Sequence, residues 1–162
     1  MPTAARLFGF LAFAALGFIA SGVFIPLLPE GTQTTLLGPI NAVIGGLCGW
    51  LVCGPNVGRG YYAAAGIGVR TALTLLFFAL IGWATYEMII DSMRPGAFGG
   101  PMEAINGAFA LLFEYLTTIA LDYRITLPVG EAEWPVPQVL IALIVGGIFG
   151  GWFAEWAAER FS

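Results

Sequence analysis

Apolar residues fill four long runs of this chain, separated by short stretches rich in Pro, Gly, Thr, Asn and Arg. The runs cover Leu7–Ile25, Leu36–Gly54, Tyr61–Met93 and Val136–Ala158, and the third carries no charge from Thr71 until Glu87. A bilayer core of about 30 Å needs roughly 20 apolar residues to cross it. Backbone amides in lipid must bond within their own segment, so such runs are helical. The pattern predicts helices over about 4–26, 36–54, 61–93 and 136–158. The third exceeds the hydrocarbon thickness and must tilt or protrude. For the first run the rival reading is a leader peptide cleaved at Ala20-Ser21-Gly22. Its apolar length exceeds a usual leader core, so a retained span is expected, with Thr3 as N-cap and Pro26 and Pro29 ending it.

A fifth segment, about 102–122, has a different pattern. At about 100° per residue, Glu103, Asn106, Gly107, Glu114, Thr117 and Thr118 gather on one face. Ile105, Ala108, Phe109, Leu112, Leu116 and Ile119 take the other. Pro101 and Glu103 suit a helix start. Such an amphipathic helix either lies on the membrane surface or crosses with its acidic face turned into a bundle. Glu114 at mid-span facing lipid would be costly, which favours the surface. The stretch Asp122–Pro137 reads as a loop from its Pro, Gly and charges.

Small residues recur one helical turn apart. Gly45 and Gly49 lie on one face of the second helix; Gly146, Gly147, Gly150 and Gly151 form a denser one on the last. Faces of this kind let two backbones approach closely in lipid, so these glycines are predicted packing positions. Cys48 and Cys53, about 140° apart on a regular helix, fit no zinc spacing and read as small apolar residues. The alternative is a disulfide to another subunit.

Composition agrees with this pattern. Hydrophobic residues make up 59% and charged residues 10% of the 162 residues, against about a quarter charged in soluble domains. The expected fold is therefore all-α: one polytopic membrane bundle over 1–162, with four transmembrane helices and one amphipathic helix, interfacial or a fifth span. A net charge of -4, with six scattered Arg and no Lys, excludes nucleic acid as a partner. The Arg at positions 6, 59 and 70, against the acids between Asp91 and Glu133, put both termini and the central turn in the cytoplasm by the positive-inside rule. Two aromatic belts agree: Trp50, Tyr61, Tyr62, Trp152 and Trp156 at one interface, Trp83, Tyr86 and Trp134 at the other.

Little chemistry is on offer. The chain has no His, hence no Ser/His/Asp or Cys/His arrangement and none of the commonest metal ligand. The Gly58-Arg59-Gly60 turn lacks a phosphate-binding pattern. The candidate polar positions are Arg59, Arg70 and Thr74 toward one side, with Thr71 and Thr74 able to line a pocket at Arg70. Glu87, Asp91, Glu103 and Glu114 fall toward the other side, where they form either a cation site or simply solvated interface acids. The sequence implies no catalytic residue, no metal and no cofactor.

Taken in order, the motifs PTAARL from Pro2, LPEGTQ from Leu28, LCGW from Leu47, GRGYYAAAGIGVRTALTL from Gly58, YEMI from Tyr86, GPMEAI from Gly100, EY at Glu114, GGIFGG and AEWA resemble the TrgA family, small membrane proteins of alphaproteobacteria associated with tellurite resistance. The resemblance implies a non-enzymatic inner-membrane protein linked to tellurite tolerance and brings no catalytic residues with it. The alternatives are an accessory subunit of a larger respiratory or photosynthetic membrane complex, and a small oxyanion transporter or channel resting on Arg59 and Arg70. Expected partners are the lipid bilayer and either other membrane subunits or further copies of the chain.

Overall fold

Helices form where the apolar runs lie, and their ends follow the Pro and Gly punctuation. The computed structural model describes residues 3–28, 34–93, 101–121, 126–129, 132–135 and 137–161. Helix α1 spans Thr3–Phe24 and runs into a 3-10 turn, Ile25–Leu27, where Pro26 can no longer donate to an α-helical ladder. Helix α2 spans Leu37–Cys48 and continues as a π-turn, Gly49–Cys53. Helix α3 covers Tyr61–Ser92, α4 Pro101–Ala120 and α5 Gln138–Arg160. The expected linker 30–33, the loop 94–100, and the side chains of Thr3 and Trp134 lie outside what is described.

The architecture is a helical bundle. Three of its helices, within Ala4–Leu27, Tyr61–Ser92 and Gln138–Arg160, are long and apolar enough to cross a membrane. The expected fourth span, α2 with its π-turn, is shorter: its 17 residues from Leu37 to Cys53 rise about 25 Å. Its outward stripe is nonetheless apolar, with Leu36, Ile40, Val43, Leu47, Trp50 and Leu51 all exposed at helical spacing.

The stretch expected as a loop, Asp122–Pro137, contains a short antiparallel pair, β1 (Thr126–Val129) and β2 (Ala132–Pro135), with Leu127 opposite Trp134 and Val129 opposite Ala132. Prolines had argued against strands here. In a two-stranded ribbon both strands are edges, where a missing N–H is tolerated, so Pro128 and Pro135 fit.

Glycine sets how closely the helices approach. A Cβ placed on Gly49 would strike the backbone carbonyl of Gly9 in α1, and one on Gly45 the carbonyl of Phe13. On the other side of the bundle, a Cβ on Gly151 would strike the Ala64 carbonyl, and Gly147 and Gly68 oppose each other in the same way. Backbone cannot swing aside as a side chain can, so these contacts require glycine. Phe13 is fully buried at the centre, its ring 3.2 Å from where a Gly150 Cβ would sit, while Leu16 covers Gly146. All six glycines named from the sequence are thus used within the chain, joining α1 to α2 and α5, and α5 to α3. Their partners Gly9 and Gly68 were not singled out, because an isolated helical glycine carries no signal without its opposite face.

Cys48 and Cys53 are both buried and unpaired with each other. The π-turn between them, closed by the Gly54 N–H donating to the Gly49 carbonyl at 2.9 Å, advances less per residue than an α-helix. Both thiols therefore face the core despite their five-residue spacing.

Helix α4 packs mainly on α3, with Ile119 buried and Tyr115 half-buried against the core. The apolar face expected from periodicity is divided. Met102, Ile105, Phe109, Phe113 and Leu116 form an exposed stripe about 80° wide. Glu103, Asn106, Glu114 and Thr117 form a second exposed stripe beside it. One face toward the bundle, one apolar and one polar is the pattern of a helix lying at a membrane–water boundary.

Candidate functional site

At one end of the bundle the α2–α3 turn is held by a carboxylate from α5. Gly58 and Gly60 adopt φ of 97° and 96°, left-handed backbone that glycine takes without penalty. These conformations aim two neighbouring N–H groups at Glu155. The Gly58 amide donates to Oε2 at 2.5 Å and the Gly60 amide to Oε1 at 2.6 Å. Glu155 is 1% exposed, so its charge is removed from water and met by these two donors. The Cys53 thiol and Thr71 hydroxyl lie beside it. Two bonds nearer the surface reinforce the junction: Trp152 Nε1–H donates to the Tyr61 carbonyl at 3.0 Å and the Tyr61 hydroxyl to Glu159 Oε2 at 3.2 Å. Glu155 was not singled out from the sequence. A signal was present: Glu155 follows Gly147 and Gly151 at four-residue steps on one helix face, so the register that buries those glycines also buries it.

At the other end the bundle leaves a cavity of about 750 Å³ between α1, α2, α3, α4 and the start of α5. The glycine contacts that join α3 to α5 lie in the half nearer the turn, while the Gly17 contact with the Asn41 carbonyl closes α1 on α2 beside the cavity. Here the wall residues are Ala20, Leu36, Ile40, Leu75, Ala79 and Leu143 among others, and no described side chain fills the gap. One wall is polar. Trp83 Nε1–H donates to Asn41 Oδ1 at 3.0 Å, Asn41 Nδ2–H to Ser21 Oγ at 2.9 Å, and Ser21 Oγ–H to the Gly17 carbonyl at 2.8 Å. This relay links α3, α2 and α1, and buries Ser21 and Asn41 at 2% and 9% exposure. A buried amide costs free energy unless bonded, so the relay fixes the register of three helices around the cavity.

Glu87 stands one helical turn beyond Trp83 and lines the same cavity, with Tyr86 and Tyr115 nearby. Trp83 meets Tyr86 edge-on with ring centroids 5.6 Å apart, and Phe24 meets Tyr115 in the same way at 6.2 Å. Partial burial, then the charges of Glu87, Glu114 and Asp91, raise the Tyr115 phenol above its ordinary pKa. Three carboxylates therefore act on this rim.

The other candidate residues fall elsewhere. Arg59 and Arg70 are exposed and do not line the cavity. The expected pocket of Thr71 and Thr74 around Arg70 does not form, because both hydroxyls bond back to their own helix, at Ile67 (2.7 Å) and Arg70 (2.8 Å), and Thr71 turns inward while Arg70 points out. Of the four acids only Glu87 lines the cavity; Asp91 is half-buried, and Glu103 and Glu114 are exposed. Among the described residues, no three of His, Cys, Asp and Glu converge on one point. Compared with family models, curated proteins and solved structures, the chain matches none.

Proposed function

We propose that this chain is a non-enzymatic integral protein of a bacterial inner membrane that holds an amphipathic small molecule in its cavity, and that its presence supports tolerance to tellurite. The cavity carries the first part: about 750 Å³ of space lies within the 300–1,000 Å³ usual for ligand pockets, in a bundle packed to backbone contact elsewhere. Its lining matches an amphipathic molecule, apolar over most of its area with one polar wall at Ser21, Asn41, Trp83 and Glu87. The tellurite link comes from the resemblance of the sequence motifs to the TrgA family.

Four spans with α4 at the outer interface, and both termini in the cytoplasm, is the topology that fits the reading. The apolar outward stripe of α2 supports its crossing, and the paired apolar and polar stripes of α4 support the interface. Tellurite itself, an oxyanion, does not suit a cavity whose acidic lining residue is Glu87 and which no described arginine lines. Under this reading tolerance follows from the molecule held, with Arg59 and Arg70 as interfacial anchors.

Deleting the gene is expected to lower growth at rising tellurite, and plasmid-borne wild type to restore it. Ala79→Phe, which fills the cavity from α3, is expected to reach the membrane in normal amount and fail to restore tolerance. Unchanged growth of the deletion strain would remove the tellurite link. Full rescue by the filled variant would remove the cavity from the function.

A further inference from the structure

The chemistry at the cavity mouth selects among amphipathic molecules. Glu87 is the one carboxylate among the cavity-lining residues, and no described arginine lines it. A carboxyl group beside an apolar chamber is a ready partner for a cation, with few other polar groups to meet it. The aromatic residues around it work in the same direction. Trp83, Tyr86 and Tyr115 line the same chamber, and the faces of such rings attract cations, most strongly where water is excluded. Glu114 extends the negative field along the rim. A neutral ligand would use the volume and the Asn41 amide but leave this field unanswered. An anion would oppose it.

Resting on the reading of the cavity as a ligand chamber, we propose that its ligand is a lipophilic organic cation, the apolar body packed between α1, α2 and α3 and the charged head beside Glu87 and the rings of Trp83, Tyr86 and Tyr115. Residues from three helices and α4 meet in this site, so its selectivity is a property of the assembled bundle. Loading from the membrane side is open to such a ligand, since lipophilic cations concentrate at the headgroup boundary where this end of the bundle lies.

The test uses the full chain in nanodiscs of zwitterionic phosphatidylcholine and three probes that share a pyrenylbutyl body. Their heads are trimethylammonium, hydroxyl and carboxylate. Energy transfer from tryptophan to pyrene reads binding, and Ala79→Phe gives the background from partition into lipid. Saturable binding of the ammonium probe, at least tenfold tighter than the hydroxyl probe and with the carboxylate probe weakest, is the expected result. Glu87→Gln is expected to reduce ammonium binding at least tenfold and leave hydroxyl binding within twofold. Glu87→Asp, which keeps the charge, should retain most of the preference and guards against a merely misfolded Gln variant. Equal binding of ammonium and hydroxyl probes, or a Glu87→Gln variant that keeps the ammonium preference, overturns the cation assignment while leaving the chamber in place. No saturable binding of any probe overturns both.

Discussion

Replacing Glu155 by Gln tests the junction that joins the α2–α3 turn to α5. In the native protein both carboxylate oxygens accept backbone N–H bonds, at 2.5 and 2.6 Å, inside a region from which water is excluded. Glutamine keeps the shape but offers one acceptor and one donor, so one glycine N–H would face an NH₂ group instead of an oxygen. The loss is one charge-assisted bond, worth about 1.5–3 kcal/mol, plus part of the cost of an unsatisfied buried donor. Together these give about 2–4 kcal/mol. At 1.4 kcal/mol per factor of ten, the population with an open turn should rise about 30- to 700-fold. Arg59 lies in that turn and is exposed, so trypsin reports the opening directly. When reclosing outpaces cleavage, the rate of cutting follows the open population. The Arg59–Gly60 product, followed by mass spectrometry over time in detergent, should appear faster by that factor in the variant. Glu159→Ala, which removes only the exposed 3.2 Å bond from Tyr61, serves as the control and should change the rate less than about fivefold, as a surface contact worth under about 1 kcal/mol requires. Cleavage of Glu155→Gln within threefold of the wild type would refute the claim that this carboxylate holds the turn.

Three further outcomes follow from the packing. Gly151→Ala drives a methyl into the Ala64 carbonyl and should destabilise the bundle by about 1–3 kcal/mol, while Gly82→Ala, with nothing within 4 Å, should stabilise it by about 0.5–1 kcal/mol through helix propensity; thermal unfolding in one detergent compares the pair, and equal shifts would contradict the close approach of α3 and α5. Asn41→Ala breaks the relay and should cost about 1–3 kcal/mol, with a change in Trp83 emission as its indole loses its acceptor; an unchanged spectrum against a Trp83→Phe reference would count against the relay. Single cysteines at Phe109 and Phe113 should react with a lipid-soluble maleimide and at Glu114 and Thr117 with a charged one, and uniform labelling by the charged reagent would place the whole of α4 in water.

How much was legible beforehand differs by element. The ends of α1, α3 and α5 were readable to within about two residues, because prolines, glycines and the first charges act where they stand. The packing role of Gly45, Gly49 and Gly146–Gly151 was also readable, since a stripe of small residues shows in one helix alone. The hairpin 126–135 was missed because its prolines argue against strands except at an edge, and whether a strand is an edge depends on what pairs with it. Of the candidate polar residues, Glu87 reached the cavity, while the imagined pocket at Arg70 failed because Thr71 and Arg70 point to opposite sides of α3.

By itself the sequence determined which segments are helical and that most of their surface must avoid water, since apolar length and helical period are local properties of the chain. Only the tertiary structure decided that Glu155 is buried against two glycine amides and that Asn41, Trp83 and Glu87 share one chamber. Those residues are separated by 4 to 97 positions in the chain, and their proximity depends on crossing angles set where helices touch. Glycine contacts bring α1 onto α2 and α5 onto α3 at backbone distance, and the space between α1, α2, α3 and α4 is left open beside them.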